Sequence, residues 1–168
     1  MFNKKRILIF LVMALLLLAV VPGVVQAAPA KTSFSGTEQF LYDIYSGDEY
    51  FTNDGIYHIR DGLSVAMLTT TDPCLNGEYT FTGNADFVFI PEPVFVMGPI
   101  WGTFHLENEG GSWEGTYFGY RDELGHSRFK YVGIGGGAYA GLHFKMFYKR
   151  LDADPSVPAF VSRAITED

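Results

Sequence analysis

Apolar and polar side chains alternate along much of this chain with a period of two residues. Successive side chains of a β-strand point to opposite faces of the sheet, so this period predicts strands that are buried on one face. The clearest case is residues 142–148, where one face is apolar and the other is mostly polar: Leu142, Phe144, Met146 and Tyr148 against His143, Lys145 and Phe147.

Residues 110–148 form the most regular part of this pattern and predict three short strands in succession. Within residues 113–120, aromatic and β-branched side chains alternate with glycines, which a helix would tolerate poorly. Residues 122–125 (DELG) predict a turn between strands, and residues 133–137 (GIGGG) predict a sharp bend of the sheet.

The segments upstream continue the same design. Asp61 and Gly62 predict a turn between two separate strands, and Asn53-Asp54-Gly55 predicts another turn before the first of them. Phe34, Phe40, Tyr42 and Ile44 are expected to share one face of the first strand. Upstream of residue 110 the predicted strands are residues 34–44, 56–60, 63–71, 78–89 and 101–108.

Three prolines interrupt the pattern between residues 90 and 99. Proline cannot donate to a sheet ladder, so this stretch predicts an irregular hairpin or flap. Its apolar tip could act as a lid over a cavity, as an oligomer contact, or as a plug packed on the end of the sheet. We favour the plug.

Consecutive short strands without a convincing helix favour a meander, and a meander of this length tends to close because closure removes exposed edges. The predicted fold class is therefore all-β: a single antiparallel up-and-down β-barrel of about eight strands, preceded by a signal peptide. The predicted barrel spans residues 28–151, and residues 152–168 are predicted to be an irregular C-terminal tail, of which residues 158–165 could cover a barrel edge.

The first 27 residues have the three parts of a secretory signal peptide. Lys4, Lys5 and Arg6 precede fifteen apolar residues, and small residues stand before a predicted cut after Ala27. The apolar run is short for a membrane span, so we favour cleavage over an uncleaved anchor. The expected localisation is secreted or periplasmic.

Removal of this leader leaves nine basic and nineteen acidic residues, a net charge of −10. This charge disfavours nucleic acid and anionic membrane surfaces as partners. No apolar run after residue 28 is long enough to form a membrane-spanning helix.

Cysteine and histidine usage argues against disulfides and metal sites. Cys74 is the sole cysteine, and with no basic residue near it in sequence it is predicted to be a partly buried, inert thiol rather than a reactive one. The four histidines, His58, His105, His126 and His143, lack metal-ligand spacing. We predict no metal and no cofactor.

Three glycine-rich and tryptophan-containing stretches resemble a known superfamily. WGTF (residues 101–104), GSWEGT (111–116) and GIGGGAYAGL (133–142) are similar to the allene oxide cyclase-like barrels, and in particular to small exported bacterial members; dirigent proteins are structurally related. The resemblance covers residues 78–148. It implies an eight-stranded barrel with an apolar lumen that is often oligomeric, and it carries over no catalytic residue.

Two functions remain open at this point. The first is an exported barrel that binds a small hydrophobic ligand or acts as an assembly module, and the alternative is an isomerase or cyclase acting on a hydrophobic substrate inside the barrel. A cavity of several hundred Å³ containing a lone buried acid, histidine or tyrosine would favour the enzyme. The aromatic residues predicted to bind the ligand are Trp101, Trp113, Tyr117, Tyr139 and Phe144.

The pattern disfavours a catalytic cluster of Trp101, His105 and Glu107 with Glu114 and Trp113. Strand alternation places Trp113 and Glu114 on opposite faces, so they cannot share one lumen. The predicted catalytic residues therefore stay unassigned.

Overall fold

The structure of the protein is a computed structural model that describes residues 31–90, 95–154 and 156–167. These residues form nine β-strands and a single turn of 3₁₀-helix at Pro73–Leu75, with no α-helix among them. The strands are β1 (Lys31–Tyr45), β2 (Asp48–Phe51), β3 (Tyr57–Thr70), β4 (Gly77–Ile90), β5 (Phe95–Asn108), β6 (Gly111–Arg121), β7 (Ser127–Gly137), β8 (Leu142–Arg150) and β9 (Ala159–Glu167).

The strands join into one antiparallel sheet that closes on itself. From β3 to β9 each strand pairs with the next in sequence, and β1 pairs with both β9 and β3. Eight strands therefore complete a ring, and the short β2 extends β3 at one end as a hairpin. The predicted all-β, antiparallel and closed sheet is confirmed.

The inward face of the ring carries the hydrophobic core. Alternation along β6, β7 and β8 turns aromatic and aliphatic side chains inward and leaves their neighbours in solvent, as the sequence pattern predicted for residues 110–148. Glycines make room for these rings: a Cβ on Gly133 would lie 2.4 Å from Phe144 Cε1, and one on Gly115 would lie 2.8 Å from Phe104 Cε1. The inward glycines thus mark close approach rather than flexibility.

One end of the ring is packed solid. The loop between β3 and β4 folds over this end, where it buries Leu75 completely and accepts a 2.8 Å hydrogen bond from Trp113 Nε1 at the Cys74 carbonyl. Asn108 Nδ2 donates to the same carbonyl over 3.1 Å, and the Tyr139 hydroxyl donates to Asn108 Oδ1 over 2.7 Å. We call this end the plugged end.

The predicted irregular tail is wrong for residues 159–167, because β9 is a regular strand. It supplies the ladder that joins β8 to β1, and Val161 and Ile165 point into the core. The two prolines and the mixed charge of this segment gave no strand pattern in the sequence, because the burial of β9 depends on strands that are distant in sequence.

The predicted turn at Asp61 and Gly62 is also wrong. Both predicted strands belong to one continuous β3, and the register with β4 shifts between Ile59 and Gly62. Asp61 adopts a φ of +55° there, so the local turn chemistry produces a bulge within a strand instead of a chain reversal.

Two further predictions meet the structure in part. Phe34 is buried as expected, but Tyr42 and Ile44 are exposed, since the register of β1 shifts after Phe40. In the proline-rich stretch, β5 continues through Pro99, while the tip at residues 91–94 lies outside the described residues, as does the predicted signal peptide. Over the described ranges, no helix has the length and hydrophobicity that crossing a bilayer requires.

Two adjacent substitutions test the assignment of β9. Val161→Asp would place a carboxylate in the core, and we expect it to lower the free energy of unfolding by about 3 kcal/mol or more. Ser162→Asp, on the exposed face of the same strand, should change it by less than about 0.5 kcal/mol. Urea unfolding followed by tryptophan fluorescence measures both, and similar losses in the two variants would contradict a strand here.

Candidate functional site

The end of the ring opposite the plugged end contains a cavity of about 400 Å³. Inward side chains of Phe81, Tyr117, Phe129 and Tyr148 form much of its wall. Exposed residues of the β1–β2 region, including Asp43 and Glu49, form its outer part, so the cavity opens to solvent at this end. By contrast, the packed interior near Trp113 leaves a void of only about 10 Å³.

Glu38 is the buried acid of this cavity. It lies on β1 opposite Leu68 of β3 and Ala159 of β9, and only 4% of its surface is exposed. Its carboxylate accepts a hydrogen bond from the Tyr79 hydroxyl. Burial raises the pKa of Glu38 from 4.5 to about 7, against the opposing effects of the Tyr79 hydrogen bond and the positive charge of Arg150.

Four inward tyrosines surround this carboxyl group. Burial raises the pKa of each phenol, and in each case the charge of Glu38 is the next largest cause. The hydroxyls therefore stay protonated around a carboxyl group that gains and loses a proton near neutral pH. The four residues are Tyr79, Tyr117, Tyr131 and Tyr148.

Aromatic stacking fixes the positions of these rings. Tyr117 stacks on Tyr131 with centroids 5.0 Å apart, and Tyr148 packs against Phe129 at 4.9 Å. The Tyr117 hydroxyl also donates to the Thr82 carbonyl over 3.0 Å. The polar atoms of the cavity are thus held on a rigid apolar wall, which suits a site that orients a small molecule.

Of the five aromatic residues predicted to bind a ligand, Tyr117 lines this cavity. Trp113 is fully buried at the plugged end, where Tyr139 stacks on it at 5.3 Å and Phe144 meets it edge to face at 5.2 Å. Trp101 lies beneath the Arg60 guanidinium and pairs across strands with Asn84 and Phe118, on the outer face. The structure does not gather these five residues at one place, and their role in binding stays a prediction.

The disfavoured cluster of Trp101, His105, Glu107 and Glu114 faces outward. His105 Nδ1 lies 3.2 Å from Glu114 Oε1, with 46% and 68% of the two side chains exposed. His105 and Glu114 line an outer groove of about 770 Å³. This groove is larger than the inner cavity, but its charged side chains are solvated, so it has no desolvated acid or base comparable with Glu38.

Other candidate chemistry is weaker. No group of three or more His, Cys, Asp and Glu side chains that could hold a metal ion occurs among residues 31–90, 95–154 and 156–167. Cys74 is partly buried, and burial is the main cause that raises the pKa of its thiol. A raised pKa lowers the thiolate fraction, which fits the inert thiol that the sequence predicted.

Sequence reasoning missed Glu38, although a signal for it exists. Phe34, Gly36, Glu38 and Phe40 are alternate residues of β1, so Glu38 is an acid on the apolar face of a predicted strand. An acid at such a position must be desolvated if the sheet closes over it. Closure, which brings Tyr79 and Arg150 to it, could not be deduced from the strand alone.

Comparisons with known proteins do not assign the chain. No family model matches it, and no curated protein matches it. Among solved structures it is similar to one described as a nonspecific heme-binding cyclase that catalyzes a 4 + 2 cycloaddition during neoabyssomicin biosynthesis. The alignment covers 100% of this chain and 81% of the other, with 16% identity and a TM-score of 0.44. This likeness is too low to assign a fold or an activity.

The raised pKa of Glu38 predicts a pH-dependent cost to stability. Between pH 4.5 and 7 the native state keeps a proton that the unfolded state loses, so the contribution of Glu38 to stability falls as pH rises through this window. Glu38→Gln removes this ionisation. We expect the variant to exceed the wild type in stability by up to about 3 kcal/mol above pH 7, with the difference vanishing near pH 4.5.

Urea unfolding of both proteins from pH 4.5 to 8 measures this difference. Glu114→Gln, at an exposed acid on the outer face, is the matched control and should show no such trend. A difference between Glu38→Gln and wild type that is independent of pH would contradict the assignment.

Proposed function

We propose that this protein is an isomerase or cyclase that moves a proton on a small, mostly apolar substrate held inside the ring, with Glu38 as the acid or base. The observation that carries this proposal is a buried carboxyl group on the wall of a solvent-connected cavity of about 400 Å³. A cavity of this volume is within the range that holds small organic ligands.

The pKa of Glu38 supports a role in proton transfer. A group whose pKa is about 7 is present in both protonation states at neutral pH, and this is the condition under which general acid–base catalysis is most effective. The Tyr79 hydroxyl donates to the carboxylate and so favours its basic form. Glu38 would accept a proton from an acidic C–H group of the substrate, or deliver one to an oxygen, and the aromatic wall would hold the substrate in one conformation.

The resemblance to allene oxide cyclase-like barrels agrees with this class of reaction and is part of the proposal. It rests on residues 101–104, 111–116 and 133–142, which in this structure form strand and turn positions at the packed side of the ring rather than the cavity. The proposed chemistry therefore depends on Glu38 and Tyr79.

Binding without chemistry is the second candidate. The aromatic wall of the cavity favours it, since stacked rings would hold an apolar ligand whether or not Glu38 exchanges a proton with it. A binding protein and an enzyme would share the same ligand site and differ in turnover.

A deuterium-exchange assay distinguishes the two candidates. The purified protein is incubated in D₂O with a panel of apolar β,γ-unsaturated ketones and epoxides, and NMR and mass spectrometry detect deuterium incorporation and isomer formation. We expect wild-type turnover of at least one compound, and a loss of about 100-fold or more in Glu38→Gln, in keeping with the usual contribution of acid–base catalysis.

Glu114→Gln is the control and should keep the wild-type rate, because Glu114 lies on the outer face. Compounds that bind without turnover would favour the binding protein. A Glu38→Gln variant with the wild-type rate would refute the role of Glu38.

We also propose that the protein is exported, because Lys4, Lys5, Arg6 and the apolar run after them have the order of a signal peptide. Expression of the full chain in a bacterial host should yield a product in the periplasm or medium that lacks residues 1–27, as measured by intact mass and N-terminal sequencing. A product that keeps these residues and stays with the membrane would instead favour the uncleaved anchor.

A further inference from the structure

Two arginines line the cavity that contains Glu38. Arg121 ends β6 and Arg150 ends β8, and both pair across strands with Ser127, the first residue of the intervening β7. The register therefore places both residues at the same end of the ring, on either side of Ser127, and both line the cavity.

Neither guanidinium has a close ion-pair partner among the described residues, although the charge of Arg150 acts on Glu38 and Asp154. No carboxylate within the part of the chain that the structure describes forms an ion pair with Arg121 or Arg150. The Nε atoms of both are buried and lack a hydrogen-bond partner. An unpaired buried donor on a charged group is costly, and a hydrogen-bond acceptor on a ligand or a water molecule would offset this cost.

The surroundings of the pair reinforce this reading. The Arg150 guanidinium lies over the Tyr148 ring, 5.7 Å from its centroid, which orients it within the cavity wall. Burial and the charge of Arg150 lower the pKa of Arg121, as expected for two like charges that share a partly desolvated place. The chain as a whole has a net charge of −7, so the positive charge of these two arginines on the cavity wall is opposite in sign to the net charge of the chain.

We propose that Arg121 and Arg150 bind the carboxylate of an amphipathic substrate whose apolar body extends along the aromatic wall toward Glu38. A guanidinium presents its donors as a planar fork that matches the two oxygens of a carboxylate. The inference rests on the proposed function for the direction of the substrate, but the preference for an acid can be measured without turnover.

Matched acid and amide pairs test the proposal. The probes are 1-naphthaleneacetate, phenylacetate and decanoate, each compared with its uncharged primary amide by isothermal titration calorimetry at pH 8 and low ionic strength. We expect wild-type protein to bind at least one acid about tenfold or more tightly than its amide. In Arg121→Gln and in Arg150→Gln that preference should fall to threefold or less, while binding of the amide changes little.

Arg128→Gln is the matched control, because Arg128 is exposed on the outer face of β7 and should leave the preference intact. Arg121→Lys and Arg150→Lys keep the positive charge but lose the planar fork of donors, so we expect each to have an intermediate preference for the acid. These variants also test the proposal if the glutamine variants do not fold. Glu38→Gln removes a negative charge from the cavity and should keep or strengthen the preference for the acid.

The proposal is overturned if no acid in the three pairs binds better than its amide, or if the arginine variants weaken acid and amide equally. Its failure and that of the proposed function are distinguishable. Loss of turnover in Glu38→Gln with an intact acid preference supports both proposals, whereas turnover of uncharged compounds alone supports the enzyme and removes the anion site.

Discussion

The pairing of β1 with both β3 and β9 is the constraint on which the rest of the structure depends. This double pairing closes the sheet, and closure turns an alternating pattern into an inside and an outside. It also satisfies the backbone groups that an open sheet would leave at its edges. Because Glu38 lies on β1 between these two partners, the same pairing desolvates this acid, which is the buried carboxyl group among the described residues.

The interior of the ring has a packed half and a hollow half. At the plugged end, Trp113, Leu75 and their neighbours fill the ring, and Trp113 Nε1 and Asn108 Nδ2 donate hydrogen bonds to the Cys74 carbonyl. At the other end, the rings of Tyr117 and Tyr148 form part of the wall of the cavity. A solid half can support a hollow half whose buried ionisable group reduces stability at neutral pH.

Two positive charges on the cavity wall differ in sign from the net charge of the chain. The chain is acidic overall and carries Asp43 and Glu49 at the mouth of the cavity, but Arg121 and Arg150 are turned toward its interior. With Glu38 only partly ionised near neutral pH, the two guanidinium groups dominate the field inside the ring. Such a field has an evident use if the ligand has an anionic head and an apolar body.

The sequence by itself determined the fold class and most strands, because a period of two and glycine-marked turns are local properties of the chain. It could not identify β9, whose residues show no clean pattern, or join the two halves of β3, where the turn signal at Asp61 became a bulge. The site was decided by tertiary structure. Glu38, Arg121 and Arg150 come from three different strands, and only the register of the closed sheet brings them to one cavity, where Tyr79 of a fourth strand donates a hydrogen bond to Glu38.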